Sequence, residues 1–387
     1  MKVVFTSNYL NVHQRPFCDE MLTCLGKDDF RFVAATPFNA QRLRSGYEDM
    51  NQEPFVIRAY EDEALAKEAV ADADVVVGIP YSNPDFIRLR MGSSKGLTFA
   101  YSERLLKRGL WFRFFPPKRA KVHSAFTRYR KRQDIHVLCA SAFTSYDLSL
   151  FGFPPERCWK WGYFPLVPED PGRVECDAPA SIVWAARLIQ WKRPYGPLQL
   201  AKHLVRDGRD FHLTMIGEGE MHGELESYIQ ENGLSGHVTM IGAVPNREVH
   251  RIMSQSDVFL FTSNRVEGWG AVLSEAMGNG CAPIASSLIG SVPYLVQDGY
   301  NGRVYPDGDE EALYNCVVDM LDDLDATRRM GERARETMTS LWNPSQAARS
   351  FIELSECLLA GERPAIPEGP CSPAGVVTDT WYGGGCG

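Results

Sequence analysis

The 387-residue sequence predicts an α/β fold: two domains in tandem, each with a parallel sheet, their sheets facing across a cleft. Three observations predict it. Short apolar runs alternate with charged, helix-prone stretches; the alternation stops at a proline-rich break and starts again; and the length suits two domains of ordinary size. A cleft between such domains is a favoured place for a ligand.

In the first half, Lys2 to Thr6 reads as a short apolar strand and His13 to Leu25 as a helix after a loop. Phe32 to Ala35, Phe55 to Ile57, Val75 to Gly78 and Leu97 to Tyr101 are further strands, and Val137 to Ala140 closes the series. The stretch from Phe164 through Pro179 is rich in proline and acid and lacks periodicity, so the linker is placed at residues 168–180. Beyond it come strands at Ser181 to Ala185, Phe211 to Ile216, Val238 to Ile241, Val258 to Phe261, Cys281 to Ala285 and Gly302 to Tyr305. Helices are expected near Pro194 to Asp207, Gly223 to Glu231 and Ala271 to Met277. The domains are therefore read as 1–167 and 181–343, with a helix over 344–360 that returns to the first domain and a docked or disordered tail at 361–387.

Composition excludes several classes. Hydrophobic content of 44% and charged content of 23% are those of a globular protein, and no run approaches the roughly 20 apolar residues of a membrane helix. The N-terminus lacks a signal-peptide core, so the expected location is the cytoplasm. Ten cysteines without a CxxC pair or metal-ligand spacing read as reduced thiols. The net charge of −8 conceals a local excess: Arg104 to Arg132 holds eleven Lys/Arg and no Asp or Glu. Trp111, Phe112, Phe114, Phe115, Phe126 and Tyr129 are interleaved with those cations, which suits an anionic membrane surface. A solvated helix pair with a buried aromatic face is the plainer alternative; nucleic acid is disfavoured by the acidic total and the lack of a motif.

The chemistry is concentrated between Arg187 and Glu275. Arg187 follows a strand, and Lys192 lies on the loop before the next helix; together they suit a diphosphate that must be neutralised as it departs. Glu267-Gly268-Trp269-Gly270-Ala271 precedes a helix whose first amides face a bound anion, and its glycines let backbone approach phosphate and sugar. Glu267 suits sugar hydroxyls and Glu275, eight residues on, ribose hydroxyls. The plainer reading is two surface cations, a helix-surface Glu275 and an N-terminal dipole partner Glu267. Asp72-Ala73-Asp74 and Asp307-Gly308-Asp309 have the DxD spacing of a metal motif but adjoin a strand and a turn, so they read as caps.

These residues, with Ile216-Gly217-Glu218-Gly219, Val238 with Ile241-Gly242, and Gly280 with Pro283, resemble the group 1 (family 4) retaining glycosyltransferases of GT-B fold. The resemblance covers about residues 180 to 310. It implies a nucleotide diphosphate-sugar donor held by Arg187, Lys192, Gly217, Val244, Glu267, Gly268, Trp269, Gly270, Ala271 and Glu275, no metal and no cofactor. It implies a saccharide acceptor, polyprenyl-diphosphate-linked, in bacterial capsule, O-antigen or exopolysaccharide synthesis, with the enzyme peripheral on the inner face of the plasma membrane. The glycine-rich loop usual after the first strand is here Ser7 to His13, without glycine. Where many members place a histidine the sequence has Ser102-Glu103-Arg104, so Glu103 joins Glu267, Arg187 and Lys192 as a catalytic candidate. His13, Arg104, Trp111, Lys118, Arg119 and His123 are assigned to the acceptor or membrane side. An epimerase, a phosphorylase or a non-catalytic nucleotide-sugar-binding subunit remains as the alternative.

Overall fold

Apolar runs form the strands of two wholly parallel sheets. The computed structural model describes residues 1–38, 48–78, 84–93, 95–169 and 179–383. One unit comprises Met1–Leu166 and Trp342–Val377, and the other Val167–Leu341 with the residues from Thr378 onward. Most of the linker proposed at 168–180 lies outside the described residues.

In the first unit the strands are β1 (Val3–Ser7), β2 (Phe30–Ala34), β3 (Val56–Arg58), β4 (Val75–Gly78), β5 (Leu97–Ser102), β6 (Ile135–Cys139) and β7 (Cys158–Lys160), in the order β3-β2-β1-β4-β5-β6-β7. Every residue of β1 and β4 is buried, as a parallel strand covered on both faces requires. The helices are α1 (Arg15–Leu25), α2 (Glu63–Asp72), α3 (Pro84–Gly92), α4 (Pro116–Ala125) and α5 (Thr144–Ser149). The sheet therefore extends one strand beyond the expected end at Ala140. With three residues, β7 is too short to show a period in sequence.

The second unit holds β8 (Ala180–Ala185), β9 (Phe211–Ile216), β10 (Val238–Met240), β11 (Val258–Phe261), β12 (Ala282–Ser286) and β13 (Arg303–Tyr305), ordered β10-β9-β8-β11-β12-β13. Its helices are α6 (Tyr195–Arg206), α7 (His222–Glu231), α8 (Asn246–Ser254), α9 (Ala271–Gly278), α10 (Val292–Leu295), α11 (Glu310–Asp322) and α12 (Leu324–Glu336). Ile182, Leu213, Leu260 and Ile284 bring four adjacent strands into one core, each burial contributing roughly 1.5–3 kcal/mol. Helices α8, α10, α11 and α12 are additions to the sequence-predicted series. Asp309 and Asp323 start the last two, accepting from Ala312 N at 2.9 Å and Ala326 N at 2.8 Å.

The final helix, α13 (Pro344–Leu359), belongs to the first unit. Asn343 caps it through Gln346 N at 2.8 Å, and Phe351 packs on Phe5, Phe99 and Trp161 at ring distances of 5.4, 5.3 and 5.8 Å. The tail is docked. Lys160 N donates to Ser372 O and Cys371 N to Lys160 O, each at 2.8 Å, which covers the exposed edge of β7. From Thr378 the chain joins the second unit, where Trp381 Nε1 donates to Ser287 O at 2.8 Å.

Both sheets reverse their winding between two neighbours, β1 and β4 in one and β8 and β11 in the other. Open α/β sheets bind ligands at the carboxyl ends of the strands beside such a reversal. In the second unit those ends lead directly to Arg187 and to Thr262.

Candidate active site

The loop after β8 and the loop after β11 are joined by hydrogen bonds. Thr262 accepts from Trp184 Nε1 at 2.9 Å and donates to Lys192 O at 2.9 Å, while Asn264 N donates to Trp191 O at 3.0 Å. These contacts bring Lys192 and Glu267, 75 residues apart, into a buried ion pair. Arg187 is exposed, and its guanidinium lies 5.9 Å from the Trp191 ring centre; Lys192 Nζ lies 4.4 Å from the same ring. Trp191 thus neighbours both cations proposed to hold diphosphate. Thr262, Asn264 and Trp191 are absent from the sequence-derived set. The run Thr262-Ser263-Asn264 at the carboxyl end of an apolar strand was the available signal.

Two glycines are required by geometry. Gly270, at φ 85°, begins α9, and a Cβ there would lie 2.3 Å from the Phe261 ring. Gly217, at φ 138°, leaves β9, where a Cβ would meet Ala186 O at 1.9 Å. Its N–H donates to Gly242 O at 2.9 Å, tying together the loops after β9 and β10, where Val244 is partly exposed. Trp269 points inward and is 1% exposed beside Tyr294, so a ligand could meet the backbone of Gly268, Trp269 and Gly270 rather than the indole.

Glu275 stands one turn into α9, after Ala271, and is partly exposed. Its carboxylate has no ion-pair or hydrogen-bond partner among the described residues, and burial pushes its pKa up to about 7. The carboxyl is therefore poised to accept hydrogen bonds that the protein does not itself supply.

Of the two DxD sequences, Asp72 pairs with Lys2 at 2.6 Å and Lys95 at 3.2 Å, and Asp74 accepts from Lys2 N at 2.8 Å. Asp307 is bidentate with Arg193 at 2.7 and 3.2 Å, and Asp309 is the cap of α11. All four carboxylates serve structural contacts.

In the first unit, the glycine-free loop after β1 is fastened by side chains. Asn11 Oδ1 accepts from His13 N at 3.0 Å and Gln14 N at 3.2 Å, and Asn51 Oδ1 accepts from Leu10 N at 3.0 Å. His13 lies 6.0 Å from the Tyr163 ring. Glu103 accepts from Lys107 Nζ at 2.8 Å and from Tyr163 Oη at 3.2 Å. Arg104 is no surface cation: it is buried 3.7 Å from buried Asp147, over the Phe143 ring. Trp111, Phe114 and Phe115 are 65%, 63% and 45% exposed, whereas Phe126 is fully buried in the core and Phe112 and Tyr129 are half-buried, so the aromatic set divides between an open group and a buried one. Lys118 is half-buried, Arg119 exposed, and His123 Nδ1 lies 3.1 Å from Thr127 Oγ1.

Residues 175–337 match the family model of glycosyl transferases group 1. The matched stretch contains all the donor-side candidates, from Arg187 to Glu275, and extends beyond the resemblance read in the sequence. Over 185 residues the chain is 31% identical to the amylovoran biosynthesis glycosyltransferase AmsK of Erwinia amylovora, covering 46% of this chain and 45% of that one. The chain thus spans about half the length of the curated relatives it matches. The fold is GT-B, with two Rossmann-like units. A solved structure of Anabaena HepE in complex with UDP superposes with a TM-score of 0.67 at 14% identity, covering 91% of this chain and 99% of that one. The lipopolysaccharide outer core galactosyltransferase WaaB, in its apo form, gives 0.65 at 16% identity, covering 93% and 99%.

Proposed function

We propose that the chain is a glycosyltransferase that moves a sugar, with retention of anomeric configuration, from a nucleotide diphosphate-sugar to a hydroxyl of a lipid-linked saccharide in bacterial polysaccharide biosynthesis. The observation that carries this reading is the pairing of Lys192 and Glu267 beside Arg187 and the start of α9 within the matched stretch. Likeness to a relative named for amylovoran biosynthesis supports the polysaccharide context.

In this proposal Arg187, Lys192 and the first amides of α9 stabilise the negative charge that grows on the departing diphosphate. They fill the role a divalent ion would otherwise have, so no metal is required. Glu267 orients Lys192 and accepts from donor-sugar hydroxyls, and Glu275 accepts from ribose. Departing phosphate takes the acceptor proton in a front-face substitution, which needs no protein nucleophile. Glu103 is proposed as a polar partner for the acceptor.

The exposed Trp111, Phe114 and Phe115, interleaved with Arg108, Arg113 and Arg119, support docking of the first unit on an anionic membrane. The deciding experiment is thermal stabilisation by UDP, GDP, ADP and CMP, followed by transfer from the matching sugar conjugate and determination of the product anomer by NMR. Stabilisation by one nucleotide with transfer and retention supports the proposal. Binding without transfer to any hydroxyl acceptor would make the chain a nucleotide-sugar-binding subunit, and an inverted product would exclude the front-face route.

A further inference from the structure

Beside the carboxyl end of β5, the first unit has an open pocket of about 530 Å³ whose lining holds one carboxylate and four cations besides the buried Arg104. Tyr101 and Ser102 of β5 line it together with the aromatic Phe112 and Tyr163. Lys118 and Lys121 reach it from one face of α4, being three residues apart, while Lys107 and Arg108 come from the segment before that helix. Two carboxylates near these cations, Glu103 and Asp147, are already engaged. Glu103 is engaged by Lys107 and Tyr163. Asp147, behind the wall, accepts from Leu105 N at 2.8 Å and Leu106 N at 2.7 Å and faces Arg104. Burial, and then the like charge of Lys121, hold the Lys118 ammonium below the usual lysine range against the opposing pull of Asp147. Like charges held together beside a sheet's ligand-binding end cost stability unless an anion joins them.

We propose that this pocket binds a phosphate or diphosphate group, with Arg108 and Lys118 as its principal ligands and Lys121 and Lys107 at its border. A pocket of this volume has room for such a group and for part of what is attached to it. That the anion belongs to the acceptor rests on the transferase reading; the anion site itself does not. Two sources share the chemistry: free pyrophosphate and the diphosphate of an isoprenoid-linked acceptor.

The test is calorimetric titration of the full chain with inorganic pyrophosphate, with farnesyl diphosphate and with phosphatidylglycerol vesicles. Wild type is compared with Arg108→Met, Lys118→Met and Lys118→Arg, and nucleoside diphosphate stabilisation is followed in parallel. Loss of a charge-assisted contact predicts at least about tenfold weaker diphosphate binding in each Met variant and near-complete rescue by Lys118→Arg. Farnesyl diphosphate binding well above pyrophosphate assigns the pocket to a lipid-linked acceptor, and equal binding assigns it to free diphosphate; both uphold the site. Diphosphate affinity unchanged in both Met variants overturns it, as does binding of the vesicles alone. Intact diphosphate binding without any nucleotide stabilisation would remove the transferase reading and leave the pocket standing.

Discussion

Lys192 and Glu267 form a buried ion pair across 75 residues of sequence, at the carboxyl ends of β8 and β11. Two charges withdrawn together from water are each costly without the other. Glu267→Gln and Lys192→Met should each destabilise by roughly 2–4 kcal/mol, and the double substitution by clearly less than the sum. Urea unfolding of the four proteins measures this. On the proposed function, Glu267→Gln should also lower transfer at least about 100-fold while retaining nucleotide binding, because Lys192 stays available to phosphate.

Glu275 supplies a pH signature. Its folded pKa, raised to about 7 from the ordinary 4.5, means the folded state holds an extra proton between those values, so stability falls as pH rises through that window. Glu275→Gln removes the loss and should be more stable than wild type at pH 8, by roughly 1–3 kcal/mol, yet equal to it near pH 4. If ribose hydroxyls donate to the carboxylate, nucleotide affinity should rise from pH 6 to 8 in wild type and stay flat in the variant. Melting curves and titrations at four pH values check both.

His136 acts on the acid side. Trp159 Nε1 donates to its Nδ1 at 3.2 Å, and burial, followed by the Arg157 charge, holds its pKa down to about 4. Between pH 6.5 and 4 the unfolded chain binds the proton that the folded chain refuses, so this residue's contribution makes stability fall as pH drops through that range. Replacement by Phe should flatten the fall, read as a smaller loss of melting temperature between pH 6.5 and 4.5.

Gly270→Ala places a methyl against the Phe261 ring in a backbone conformation that disfavours side chains. The expected cost is at least about 1–3 kcal/mol. Because the same residue starts α9, nucleotide stabilisation should shrink even at temperatures where the variant stays folded.

Exposed Trp111, Phe114 and Phe115 carry the membrane proposal. The triple Ala variant should leave the melting temperature within a degree or two and reduce cosedimentation with phosphatidylglycerol vesicles about tenfold. Retention unchanged in the variant would leave only electrostatic attraction, which 0.5 M salt would then abolish.

By itself the sequence determined the α/β class and the alternation in both halves, and it proposed the donor-side set from Arg187 to Glu275. Buried parallel strands are continuous apolar runs, and glycine turns before a helix carry their function in local order. Short β7 and the charged helices α11 and α12 escaped because three residues show no period and capping depends on where a helix is needed. Only tertiary structure decided that Lys192 meets Glu267, that Trp269 points into the core and that Arg104 is spent on Asp147. It alone converted the basic segment from a count of charges into three open aromatic side chains, a buried Phe126 and a cationic pocket. Those outcomes depend on which side chains the crossovers bring together, and charge or aromatic content in a linear chain does not specify burial.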